Sequence, residues 1–416
     1  MTLIMITSAE TIKPSSPTPP HLKTHNLSVV DHIIPNVNIP FIFFYKNYNN
    51  GDINLLKKSL SQTLTSYYPF AGRRLSVPQI DCNDQGVEFF EASNDSRLID
   101  FIHKKEVDET IDQLIPNKNK NNNPASLVDI QLNHFTCGGA AVAVTISHKV
   151  GDAFTMSKFI NHWATVTRTG ETGCLKNPTF VPSKISEFKI PEVDLTNEIK
   201  YATRRFIFPN SKLKELKNKV NVINATRVDL VSSLIYKCAM GAATTLSGSL
   251  QPSKLHQVVN MRNRIIEENR PEIAAGNICT IAVAKMAAAG SSEMKLEEVI
   301  VKLRKDITEI KEVRDVEEVG EVFLKKLLSL EGDQSRTYYF SSMCWFPFYE
   351  ADFGWGKPVQ VMLKNGVLGG NMIHLLDTPS GDGIEAIVHL EKEEMDVFQK
   401  DAHILAYSTQ DMIISN

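Results

Sequence analysis

Histidine and aspartate do proton chemistry near neutral pH, and the segment His148-Lys149-Val150-Gly151-Asp152 sets one of each four positions apart. Taken alone, the pair says little: eleven histidines and ordinary aspartate usage give roughly 0.7 such matches by chance. The plain structural reading is a strand-edge histidine beside an aspartate that caps the next helix. The functional reading is an imidazole that takes a proton, on a turn whose Gly151 leaves open backbone for a substrate. A second pattern, Asp352-Phe353-Gly354-Trp355-Gly356, is far rarer by composition. Its glycines alternating with aromatics suit a tight, well-packed loop better than they suit chemistry.

Other chemistries find little support. No G-x-S-x-G, G-x-x-x-x-G-K-[ST], H-E-x-x-H or dinucleotide-binding glycine pattern is present. A Cys-His acyl enzyme can be drawn from Cys137 and His148, but a cysteine in a Cys-Gly-Gly turn is more often inert filling. Cys82, Cys137, Cys174, Cys238, Cys279 and Cys344 are scattered, with no C-x-x-C pair, which points to reduced thiols and no metal. The formal net charge of -3, from 45 basic and 48 acidic residues, gives no case for a nucleic-acid or anionic-membrane partner. No run approaches the ~20 apolar residues of a membrane span. The opening MTLIMIT is too short and lacks the basic flank of a signal peptide, so a cytoplasmic protein is expected.

The elements that must position these residues follow from periodicity. The apolar run 40–45 (PFIFFY) reads as a buried strand, and 54–67 has leucines at helical spacing. Residues 113–125 form a polar, Asn-rich stretch read as a loop. Two alternating, β-branched runs joined through Cys137-Gly138-Gly139 predict a hairpin ending at His148, and the stripe Phe154, Phe159, Ile160, Trp163, Val166 predicts a helix after it. His148 therefore stands where a strand hands over to a helix. Later come a strand-like RFIFP from Arg205, helices at 211–219 and 226–244, strands at 255–260 and 278–285, and a charged helix at 293–312. Strands at 336–343, 357–363, 371–377 and 384–390 precede a last helix at 392–406, and the class is mixed α/β. The expected division is 1–180, a crossover linker at 181–203, and 204–416.

With these blocks in order, the whole chain resembles the plant BAHD acyltransferases. SSPTP (15–19), LSQTLTSYYPFAGR (60–73), FTCGGAAVAVTISHKVGDAFT (135–155), VVNMRNR (258–264) and DFGWGKP (352–358) carry the likeness. The N-terminal blocks are most similar to the branch that holds vinorine synthase and other enzymes acylating alkaloids or, in glandular hairs, sugars. The resemblance implies two similar-sized domains of chloramphenicol-acetyltransferase type, with mixed sheets and a channel between them. It implies His148 as the base and Asp152 as a support that pairs with an arginine. Asp352 would be a structural residue paired with Arg262. Arg262, Asn277, Gly354, Trp355 and Gly356 would meet the acyl-CoA, and Trp355 N–H or a backbone N–H would meet the oxyanion. Ser341-Ser342-Met343, where relatives often carry an aromatic in the third place, would line the substrate pocket. The expected activity is transfer of an acetyl or other short acyl group from acyl-CoA to a hydroxyl of a plant metabolite, by a monomer with no permanently bound cofactor. An amide-forming enzyme of the same family and an inactive CoA or small-ligand binder are the alternatives.

Overall fold

A computed structural model describes residues 4–48, 53–74, 79–102, 108–116, 126–173, 175–181, 200–287, 294–364 and 370–409. Two six-stranded mixed sheets organise it. The first holds β1 (Ile4–Ile12), β2 (Asn38–Tyr45), β3 (Val87–Asn94), β4 (Val128–Phe135), β5 (Ala140–Ser147) and, from the far half of the chain, β10 (Gln360–Leu363). Their spatial order is β1-β3-β4-β5-β2-β10. The second holds β6 (Tyr201–Pro209), β7 (Ser253–Asn260), β8 (Cys279–Met286), β9 (Arg336–Ser342), β11 (Asn371–Asp377) and β12 (Gly383–Glu391), in the order β6-β12-β11-β9-β7-β8. Pairing is parallel between β3 and β4, β7 and β9, and β9 and β11, and antiparallel elsewhere in these two sheets.

Strand β2 reads as a continuous apolar run because both its faces are covered. Phe41, Phe43 and Tyr45 join Leu56, Leu60 and Leu64 of helix α2 (Ile53–Ser66) in one core, while Ile42 and Phe44 join Leu98, Phe101 and Leu114 in another. Beside it, β5 is buried along its whole length. Two further helices frame the centre of the chain: α3 (Ala153–Thr169) packs Phe159, Ile160 and Trp163 on the first core, and α4 (Arg227–Ser247) lies in the second. No helix among the described residues is long and apolar enough to cross a membrane.

Several expectations need correction. The charged helix ends at Glu309, and a helix over Val316–Leu328 follows that the periodicity had not flagged. The final helix splits into Lys392–Phe398 and Ala402–Tyr407, because the Asp401 carboxylate accepts from the N–H groups of His403 and Ile404 and starts a new turn. Most of the expected linker, 182–199, and residues 117–125 of the Asn-rich stretch lie outside the described residues. The halves also interlock across the expected boundary. Gln360–Leu363 pairs with β2, and Met343, Phe348, Ala351, Phe353 and Trp355 pack in the first core although they belong to 204–416.

Candidate active site

His148 follows the last residue of β5, and both its backbone groups are tied. Its N–H donates to Val37 O (2.8 Å), and its carbonyl accepts from Asn277 Nδ2 (2.7 Å). The same Asn277 amide donates to Asp31 Oδ1 at 2.7 Å. Asp31 closes a reciprocal cap with Ser28 at the start of the short helix Val29–Ile33, and burial pushes its carboxyl above the usual range against those hydrogen bonds. Ionic or neutral, it still orients Asn277. The histidine is thus held by a strand of the first sheet on one side and by the segment before β8 on the other.

The ring has one closed and one open nitrogen. Nδ1 is buried and lacks a formed hydrogen bond, whereas Nε2 has no protein partner and retains contact with solvent. Burial lowers the imidazole below its ordinary pKa of 6.5; the Asp152 carboxylate and the carbonyls of His148 and Gly151 pull upward without reversing this. At neutral pH the ring is uncharged. Base catalysis through the open nitrogen requires the tautomer that carries its proton on Nδ1 and its lone pair on Nε2.

Asp152 performs two structural tasks at once. As N-cap of α3 it accepts from Thr155 N (2.9 Å) and Thr155 Oγ1 (3.0 Å). It also takes a two-pronged contact from Arg262, Nη1 to Oδ2 at 2.8 Å and Nη2 to Oδ1 at 3.0 Å, and accepts from Ile278 N at 3.3 Å. Burial raises the Asp152 carboxyl, but the Arg262 charge and these hydrogen bonds carry it below the usual range. The expected pairing of Asp152 with an arginine is present. Arg262 is fully committed: it donates to Ala274 O and Gly276 O and lies 4.3 Å from the Phe154 ring. It and Asn277 therefore hold the turn, with their donor groups engaged by protein acceptors. Gly151 also makes room for the cap: a Cβ there would stand 2.9 Å from Thr155 Cγ2.

The Asp352 loop lies elsewhere. Its carboxylate accepts from Gly354 N (2.8 Å) and Gly356 N (2.9 Å), closing its own loop; the expected pairing with Arg262 is absent, because Asp152 occupies that guanidinium. Gly354 and Gly356 have φ of +99° and +86°, a region that disfavours side chains. Trp355 lies edge-on to Tyr45 (5.4 Å) and Tyr48 (4.8 Å). Tyr45 pairs with Ala140, at the far end of β5 from Ser147, which is about 23 Å away at ~3.3 Å per residue. Trp355 cannot meet an oxyanion at His148, and the loop instead clasps the second half onto the first. The same length separates Cys137, in the turn before Ala140, from His148, so no Cys-His pair exists. Of the expected pocket residues, Ser341 and Ser342 are partly exposed, whereas Met343 is buried in the first core.

The Transferase family model matches residues 2–405. The chain is 38% identical to akuammiline synthase 1 of Alstonia scholaris, with 96% of each covered. It is 35% identical to a 17,18-epoxy-17-hydroxycur-19-ene N-malonyltransferase of Strychnos nux-vomica, covering 98% of this chain and 90% of that one. The chain belongs to the BAHD acyltransferases. The crystal structure of vinorine synthase superposes with a TM-score of 0.83 at 30% identity, covering 98% of this chain and 99% of that one. This BAHD protein is accordingly an acyl-CoA-dependent acyltransferase with the two-domain mixed α/β fold of that structure. Sequence reasoning missed Asp31 and the contacts that join it through Asn277 to His148, because the three are far apart in sequence.

Proposed function

We propose that this protein is an O-acyltransferase in which His148 is the general base, moving a short acyl group, acetyl in the first instance, from acyl-CoA to a hydroxyl of an alkaloid or similar plant metabolite. The observation that carries the reading is His148: its ring is neutral and open at Nε2, and its backbone is anchored through both N–H and C=O. An alcohol is too weak an acid for imidazole to ionise beforehand. Nε2 takes the proton as the oxygen attacks the thioester carbonyl, a contribution typically of ~10²–10⁴ in rate. The carbon–sulfur bond then breaks, and the imidazolium returns its proton to the departing CoA thiolate. Asp152 and Arg262 hold the turn and stay off the substrate. With Cys137 remote, the acyl group passes directly between two bound substrates, and the protein works as a monomer in the cytoplasm.

The N-malonyltransferase relative favours a second reading, amide formation at the same site. Purified protein with acetyl-CoA and a panel of alkaloid alcohols and amines tests both: free thiol reports turnover, and hydroxylamine cleaves an ester product but spares an amide. His148→Ala leaving more than about a tenth of the turnover would overturn the base assignment. Release of no thiol with any acceptor would favour a ligand-binding protein.

A further inference from the structure

The second sheet turns two unlike faces to its surroundings. One is apolar and packs Phe206, Tyr338, Phe340, Ile373 and Val388 on the helices. The other is polar and meets the first half of the chain: Glu385 accepts from Arg205 and from Gln360 of β10, while Leu376 and Ile387 pack in the first core. His374 lies on this polar face. It pairs with Ile387 on one neighbouring strand and with Ser341 on the other, and it precedes Leu376 by two residues, so the alternation of the strand puts both on one side. Ile146 and Val150, two residues before and after His148, pack in the same core as Leu376 and Ile387, and the His148 ring acts electrostatically on that of His374.

The His374 ring repeats the pattern of His148. Nδ1 is buried without a partner, and Nε2 has no protein partner but is not sealed off. Its partly exposed side chain has no ion pair or hydrogen bond of its own. Burial, with His389 and His148 nearby, lowers its pKa to about 3, so it is neutral whenever His148 is a working base. Once substrates displace water from this face, Nε2 is left unmatched unless the ligand supplies a partner, and an apolar acyl chain offers it nothing.

We propose that His374 reads the acceptor: its Nε2 makes a hydrogen bond to a second oxygen, hydroxyl or carbonyl, carried within a carbon or two of the hydroxyl that His148 deprotonates. This rests on acyl transfer at His148. That base must touch the reacting oxygen, so a side chain facing it from the other half meets the atoms next to that oxygen. Ser341, paired with His374, stands next to it on the same face.

The test uses the full-length protein, acetyl-CoA, and paired acceptors that differ only in the second oxygen: cyclic 1,2-diols and 2-hydroxyketones, each with its mono-alcohol. Wild type prefers the two-oxygen member of a pair. His374→Phe lowers kcat/KM for that member by about 10- to 100-fold, leaves the mono-alcohol within about threefold, and leaves the KM for acetyl-CoA unchanged. His374→Gln, which presents an amide near the same point, recovers most of the preference and guards against a folding artefact. Three results would overturn the proposal: no preference by wild type in any pair, an equal loss on both members, or a raised KM for acetyl-CoA. His148→Ala keeps the two readings separate: turnover retained there defeats the base assignment, whereas a wild type that turns over both members of each pair equally defeats the His374 reading alone.

Discussion

Replacing Asp152 with asparagine removes one charge and little volume, and its consequence can be worked out from the contacts. The carboxylate accepts five hydrogen bonds, two of them from Arg262, and the pair is poorly exposed, at 7% for the arginine and 14% for the aspartate side chain. Screening by solvent is therefore small. Asparagine keeps one acceptor for the helix cap but sets an amide N–H₂ against a guanidinium whose charge is no longer matched. Breaking a buried pair in this way costs about 3–5 kcal/mol, which for a chain of this size is roughly 3–6 °C in Tm. Urea unfolding followed by tryptophan fluorescence measures the loss. In a double-mutant cycle with Arg262→Met, the double variant should lose at least ~2 kcal/mol less than the sum of the singles. The pH dependence has a definite sign. The folded-state pKa of Asp152 is depressed, so its stabilisation is present above the unfolded value of about 3.9 and is lost as pH falls through the folded value. The gap between wild type and Asp152→Asn should be constant near neutrality and close in acid. A gap under about 1 kcal/mol at pH 7, or a cycle without coupling, would refute the reasoning.

Other expectations follow from the same geometry. Because the His148 pKa is below 6.5, kcat/KM should be level from neutral pH upward and fall on the acid side with a midpoint under 6.5. Asp152→Asn should move that midpoint lower still, since the carboxylate holds it up; an upward move would contradict this. Cys137→Ser should keep most of the activity, with intersecting initial-rate plots and no acyl mass on the protein, because the thiol is a strand's length from His148. Asp352→Ala should cost on the order of 1–2 kcal/mol by releasing two exposed glycine N–H groups to solvent, while kcat of the folded protein stays near wild type; a selective loss of kcat would place that loop in the chemistry. Asn277→Ala should lower kcat more than it raises the KM for acyl-CoA, because it releases the His148 carbonyl.

Much of this molecule was legible in one dimension because the signals are local. The run PFIFFY, the leucines of 54–67, the Cys-Gly-Gly turn and the aromatic stripe after Asp152 each declare an element through their own spacing, so the junction carrying His148 could be read directly. Strand β1 escaped because nearly all of it is exposed, and an edge strand has no buried face to impose an alternation. Partnership was decided only in three dimensions. The family resemblance implies an arginine partner for both Asp152 and Asp352, yet Arg262 has one fork and the cap at Thr155 fixes the carboxylate that meets it. Asp31 and Asn277 are 246 residues apart, and no periodicity links them. His374 is one histidine among eleven by sequence, and only the strand register puts it on the face that meets the first half. Secondary structure follows from neighbours along the chain, whereas a site made where two halves meet depends on register and crossover, which neighbours do not encode.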